Sequence, residues 1–222
     1  MVAKHPKPAL QDYLKAVYRV TEARGGAAAN TKAIAAELRV SQPSVSAMLD
    51  RMAADGLVDY VHYAGATLTR KGRRAALRVI RRHRLLELYL DRFLGLGWDE
   101  VHEEAELLEH ALSARVEAAI DDALGHPAFD PHGDPIPGVD GSLQRSHWRT
   151  LWDSYESGRA RVARVSDADP NLLRHLHRLG IVPGVTVSGM RRESGGALRL
   201  RVGRRMELLG REAAERVFVS LV

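Results

Sequence analysis

The chain has 222 residues, 45% hydrophobic and 27% charged, with a formal net charge of +5 and no cysteine. That is the composition of a folded protein of two domains, or two with a small appendage, and it excludes a disulfide scaffold and any thiolate metal site. No apolar run approaches the roughly eighteen residues of a membrane span, and the first eight residues lead into helical sequence rather than a signal core, so the chain reads as cytoplasmic with an anionic partner favoured.

Leu10, Leu14, Val17 and Tyr18 share one face of a helix over residues 9–24, which Gly25-Gly26 ends. A short second helix covers residues 31–38. A third begins at Ser41-Gln-Pro-Ser, with Ser41 as N-cap and Pro43 in the tolerant first turn, and runs through Val45, Met48, Leu49 and Met52 to Gly56. Residues 57–69 hold two short β-rich runs around Ala64-Gly65 and predict a hairpin. Helix, helix, turn, helix and hairpin is the winged helix-turn-helix order, in which the third helix enters the DNA major groove. Ser41, Gln42, Pro43, Ser44 and Ser46 at its start are the candidate DNA-contacting residues; Gln42 can pair with an adenine edge, and the serines suit phosphate or base.

Residues 70–92 and 99–124 predict two long helices. From Arg70 to Arg84 there are eight Lys/Arg and no acid, which fits phosphate contact as well as a solvated flank. His83 and Glu87 follow at i, i+4 on this first helix. On the second, His102, Glu106, Glu109 and His110 would span about 100° of one helical arc, beside an apolar arc of Val101, Ala105, Leu108, Leu112 and Val116. Mixed carboxylate and imidazole donors without sulfur suit a divalent first-row metal. The zinc-protease signature His-Glu-x-x-His is absent, as is the Glu-x-x-His repeat of di-iron bundles, so the set reads as a sensor rather than a reaction centre.

Residues 129–138, Phe-Asp-Pro-His-Gly-Asp-Pro-Ile-Pro-Gly, break the helical text and predict a structured loop. A polar stretch from Val139 to about Gly158 reads as a linker, with Trp148, Leu151, Trp152 and Tyr155 able to anchor part of it. Strand candidates at 161–165, 185–190, 197–202 and 218–222, with a short helix at 170–179, predict a small β-barrel.

These blocks together resemble the diphtheria-toxin-repressor family of metal-dependent transcriptional regulators in its long form. The matching text is Tyr13-Leu14 with Val17-Tyr18, Ser41-Gln-Pro-Ser-Val-Ser46, Arg51-Met with Asp55-Gly-Leu-Val58, and Leu68-Thr-x-x-Gly72. It continues with Arg82-His-Arg-Leu85, Val101-His-Glu-Glu-Ala105, Glu109-His110 and Pro131-His-Gly-Asp-Pro-Ile-Pro-Gly138. The resemblance implies a mainly α N-terminal part, a winged helix-turn-helix domain over 1–75 and a helical dimerisation and metal-binding domain over 76–140. A linker over 141–158 and a β-rich SH3-like (FeoA-like) domain over 159–222 would follow. It implies a primary metal set of Asp12, Glu106, Glu109 and His110, and an ancillary set of His83, Glu87 and His102. Asp167 and Asp169 are candidate ligands from the SH3-like domain.

Iron-responsive relatives usually carry Met and Cys where this chain has Asp12 and Glu106, whereas manganese-responsive ones carry Asp and Glu. Hard oxygen donors therefore point to Mn2+, with Fe2+ as the alternative and Co2+ or Zn2+ as substitutes in vitro. One departure is Lys15, at a place where manganese-type relatives often add an acid. The implied protein is a homodimeric repressor of metal-uptake genes that binds operator DNA. Leu107 and Ala111, apart from the main apolar arc, would lie in its dimer interface over about 76–124. A winged-helix regulator gated by an organic effector and a metal-dependent hydrolase stand as rival classes.

Overall fold

Three helices open the chain, α1 (Pro8–Ala23), α2 (Thr31–Leu38) and α3 (Gln42–Ala54), followed by a hairpin of β1 (Val58–Val61) and β2 (Gly65–Leu68). The computed structural model describes residues 8–144 and 147–221. The first seven residues, read above for a signal core, and residues 145–146 of the expected linker lie outside the described residues. No described helix is long and apolar enough to cross a membrane.

The chain forms two units. One comprises Met1–Arg82 with Glu109–Ala111 and Pro137–Ser142, and the other His83–Leu108, Leu112–Ile136 and Leu143–Val222. In the first, α1 packs on α2 and β2, α2 on α3, and α3 on β1. Leu14, Val17, Ile34, Val45, Leu49 and Met52 lose all solvent contact, which is why the 3.6-residue apolar period of these helices is visible in sequence. Asn30 caps α2 by accepting from Ala33 N at 2.7 Å, and Arg39 in the left-handed region ends it. Ser41 caps α3 as expected, accepting from Ser44 N at 3.3 Å, with Pro43 in the first turn. β1 and β2 pair antiparallel from Val58↔Leu68 to Val61↔Gly65.

The long helix α4 (Arg70–Leu94) follows; its residues to Arg82 count with the first unit and the rest with the second. Gly72 lies where α4 passes the carbonyl of Leu57, and a Cβ there would collide with that oxygen. The expected helix over 99–124 is a misreading. The structure holds two helices instead, α5 (Val101–Leu108) and α6 (Ala114–Ala123), separated by a turn at residues 109–111. Ser113 caps a new start, its Oγ accepting from Val116 N. Glu109 and His110 thus lie beyond the helix that carries His102 and Glu106, and the four do not share one helical arc. Val101 and Ala105 are buried as predicted, but Leu108 and Val116 of the expected apolar arc stay exposed.

In the second unit Leu85, Leu86, Leu88 and Leu90 of α4 pack with Val101, Ala105, Ile120, Leu124 and Ile136. The C-terminal part is a six-stranded antiparallel sheet with the order β3-β8-β4-β5-β6-β7. Its strands are β3 (Arg149–Thr150), β4 (Arg159–Val165), β5 (Thr186–Glu193), β6 (Ala197–Val202), β7 (Arg205–Gly210) and β8 (Val217–Leu221). Helices α7 (Pro170–Leu179) and α8 (Arg211–Glu215) complete it, and both supply residues to its core, which includes Val162, Leu173, Leu176, Val187, Leu198, Leu200 and Val219. The stretch read as a linker is not all connection. β3 pairs with β8, and a 3-10 turn over Trp152–Ser157 sends Leu151 and Trp152 into this core. The aromatic anchors noted in the sequence mark the place where the sheet begins.

Candidate metal centre

Among the described residues, the first unit holds one donor group, Asp12, Glu109 and His110, and the second holds two that share Glu87, one with His83, His102 and Asp167 and one with Asp130 and His132. In the second unit, His83 and Glu87 stand one turn apart on α4, His102 comes from α5, and Asp167 comes from the segment between β4 and α7. Glu87 Oε1 lies 2.9 Å from His83 Nε2 and 3.0 Å from His102 Nδ1, and the two imidazole nitrogens are 3.1 Å apart. Asp167 Oδ2 lies 3.4 Å from His102 Nδ1. Three donor atoms spaced near 3 Å match the edges of a coordination shell with bonds of about 2.1 Å, and all four donors are nitrogen or carboxylate oxygen. These residues fit a divalent cation. Asp169 does not join them: its carboxylate accepts from Asn171 N at 2.9 Å and caps α7.

His83 and Glu87 are almost wholly excluded from solvent. Burial alone would raise the Glu87 carboxyl, but the neighbouring charge of His83, hydrogen bonds from His102 and His83, and the charge of His132 hold it well below the usual carboxylate range. Its second oxygen, Oε2, faces His132 Nδ1 at 3.9 Å, and both atoms are buried without a hydrogen-bond partner among the described residues. In the sequence, residues 129–138 read as a structured loop and 131–138 as a family marker, with nothing to place them beside the donors.

That loop is held in place from several sides. His132 Nε2 meets Trp98 O at 2.9 Å, and Trp98 Nε1 donates to Pro131 O at 3.0 Å. Asp130 Oδ1 accepts from His132 N and Asp134 N, both at 2.9 Å. Arg84 donates to Asp134 Oδ1 at 2.9 Å and to Pro135 O at 2.6 Å, while Arg164 donates to Asp134 Oδ2 at 2.7 Å. Burial, with the charges of Glu87 and Asp134, raises the Asp130 carboxyl well above its ordinary range, against the pull of Arg84 and the Asp134 N–H.

In the first unit, Asp12 on α1 meets Glu109 and His110 from the turn after α5. His110 Nε2 lies 2.9 Å from Asp12 Oδ1 and 3.7 Å from Glu109 Oε1, and His110 Nδ1 lies 2.9 Å from Gln11 Oε1. Lys15 Nζ donates to both oxygens of Glu109, at 2.8 and 3.0 Å. Two carboxylates and an imidazole again form a hard donor set that suits a divalent cation. Glu106, expected as the fourth member, counts with the second unit, where its Oε1 lies 4.0 Å from His83 Nδ1 and 3.9 Å from His102 Nε2.

Ser41, Gln42, Pro43 and Ser44 are exposed at the start of α3. The Ser41 and Ser44 hydroxyls are 2.8 Å apart, so the capping pair is organised before any DNA arrives. Ser46 is half-buried, and its Oγ accepts from Tyr60 OH of the hairpin at 3.4 Å, which fixes the wing to the helix.

Comparison with known proteins now adds to this geometry. Residues 7–66 match the iron dependent repressor, N-terminal DNA binding domain, and residues 69–138 match the iron dependent repressor, metal binding and dimerisation domain. Residues 149–221 match the FeoA domain. The chain is 32% identical to the iron-dependent repressor IdeR of Mycobacterium leprae (strain TN), across 95% of this chain and 96% of that protein. It is similar to a solved manganese-dependent transcriptional repressor in complex with manganese, with a TM-score of 0.87 and 41% identity, covering 96% of this chain and all of the other. ScaR with bound Cd2+ is also similar, with a TM-score of 0.81 and 32% identity over 98% of this chain and all of the other.

Proposed function

Because the chain belongs to the iron-dependent (diphtheria-toxin) repressor family of metal-dependent transcriptional regulators, we propose that it is a manganese-responsive repressor of metal-uptake genes. Members of this family are DNA-binding repressors rather than enzymes, so the hydrolase reading falls away, and their dependence on metal removes the organic effector. The observation that carries manganese is the donor set of Asp12, Glu109 and His110, with two hard carboxylates and no sulfur. The resemblance to a repressor solved with manganese supports it, while the iron-dependent relatives keep Fe2+ as the second reading.

Asp12 rides on α1, which packs on α2 and on β2 of the wing. A bound divalent ion supplies two positive charges and fixed bond directions to carboxylate and imidazole donors. Asp12, Glu109 and His110 would hold α1 against the turn at 109–111 and so set the posture of the DNA-reading domain. Gln42, Ser44 and their neighbours then meet one half-site, and a second copy meets the other, because a two-fold dimer reads a two-fold operator. Exposed Phe93, Leu94, Leu107, Leu108 and Val116 support a dimer face on the helical part of the second unit. His83, Glu87, His102 and Asp167 would form a supporting second centre.

The test is binding to an operator selected from random duplexes, titrated in parallel with Mn2+, Fe2+, Co2+, Zn2+ and a chelator. Activation by Mn2+ at the lowest free concentration relative to the metal's supply is expected. Tight binding in chelator, equal to that of the loaded protein, would sink the metal reading; activation by Fe2+ alone would select the second one.

A further inference from the structure

Lys15 stands one turn after Asp12 on α1, so the two side chains leave the same side of the helix. Its neighbours Tyr13, Leu14, Ala16, Val17 and Tyr18 are all buried, and Lys15 itself is only 3% exposed. A lysine on such a face needs an anion, since an ammonium removed from water without one is strongly disfavoured. Glu109 provides it, with no exposure of its own and with both carboxylate oxygens within 3.0 Å of Nζ. The same Glu109 is a member of the donor group with Asp12 and His110.

We propose that Lys15 is a built-in competitor for the metal ion: its ammonium neutralises Glu109 in the metal-free protein and must yield that carboxylate, or share it at close range, when a divalent cation enters. The inference rests on the metal-centre reading above and concerns what sets its affinity. A carboxylate has room for several donors, but two cations on one buried carboxylate repel each other with little water between them. Removing the ammonium takes from the buried Glu109 carboxylate the cation that lies on both its oxygens, and leaves it more open to a metal. Lys15 therefore lowers metal affinity and keeps α1 joined to residue 109 before any metal arrives. The response becomes an exchange of one cation for another, with the threshold set by the lysine.

Mn2+ binding to the whole protein, without DNA, tests this by competition against a fluorescent chelator at fixed pH. The binding step that Glu109→Gln abolishes identifies the centre. Lys15→Met and Lys15→Gln should each tighten that step by tenfold or more, and Mn2+ should raise their melting temperatures further than the parent's. Lys15→Gln, which keeps a neutral donor, guards against a methionine variant that fails to fold. Affinity unchanged or weakened in both variants overturns the role of Lys15 and leaves the centre standing. If Glu109→Gln removes no Mn2+ step, the centre itself is misplaced and the inference goes with it.

Discussion

Asp12 Oδ1 and His110 Nε2 lie 2.9 Å apart, one on the first helix and the other in the turn that breaks the region predicted as a single helix after α4. This contact joins α1, in the region that matches the N-terminal DNA binding domain, to the donor-bearing turn, and closing it orders a long intervening chain. The pair His83 and Glu87 closes a single helical turn, so its donors are close whatever the rest of the chain does. Filling the Asp12 centre should therefore couple to DNA affinity more strongly than filling the other. Asp12→Ala is expected to keep dimerisation and Mn2+ binding at the His83 set, and to lose at least tenfold of the metal-dependent gain in operator affinity. Anisotropy titrations with and without Mn2+ check this, and a variant with the parent's full gain would remove Asp12 from the switch.

At the DNA-reading helix, Gln42 and Ser46 should behave differently. Gln42 is exposed, whereas Ser46 accepts from Tyr60 and holds the wing. Gln42→Ala should change base preference at one operator position, worth about 1–3 kcal/mol, and leave metal binding intact. Ser46→Ala should weaken binding to all operators by a smaller, similar factor, because the wing loses an anchor. A selection experiment on each variant separates the two, and unaltered preference in the Gln42 variant would exclude it from readout.

Gly133 should be intolerant of any side chain. Its φ is +89°, and a Cβ there would run into the carbonyl of Ala163, on the strand whose Val165 N donates to His132 O. Gly133→Ala combines backbone strain with a backbone collision and is expected to cost about 2–4 kcal/mol. Denaturant unfolding should show that loss together with weaker metal binding at the His83 set, since the loop carries His132 towards Glu87. Stability within about 0.5 kcal/mol of the parent would contradict the close approach.

Sequence made some of this legible and hid the rest for physical reasons. The winged helix-turn-helix follows from local signals: Ser41 as cap, Gly56 after α3, and apolar spacing that burial then enforces. His83, Glu87 and His102 were visible because two of them share one helix and the third opens the next. The break at 109–111 was not, because Glu109 and His110 continue the helical spacing. Ser113 is a capping residue that nothing in periodicity distinguishes from an exposed serine. Lys15 reads as a departure from a pattern until Glu109 is seen beside it. Asp130 and His132 act through contacts with Glu87, Trp98 and Arg84 that lie far away in sequence. The sheet's first strand was taken for linker because it has two residues, too few to show alternation.

The neighbouring carboxyls of Glu87 and Asp130 should give the metal-free protein opposite pH dependences. Glu87 is held well below the usual range, so its stabilising contribution is present above that range and is lost as pH falls through its lowered pKa. Asp130 is raised well above its usual range, so its contribution is complete below the ordinary carboxylate pKa and is lost as pH rises through the raised value. Between those limits Glu87 is ionised and Asp130 keeps its proton. Asp130→Asn retains an oxygen that can accept from His132 N and Asp134 N, and removes the group that folding must keep protonated. In chelator, the variant should gain stability on the parent as pH rises from the ordinary carboxylate range to about pH 8. Glu87→Gln should destabilise at pH 8 and less so as pH falls. Thermal unfolding between about pH 3 and 8 checks both signs, and an Asp130→Asn variant less stable than the parent at pH 8 would mean that the folded protein depends on an ionised Asp130 beside Arg84.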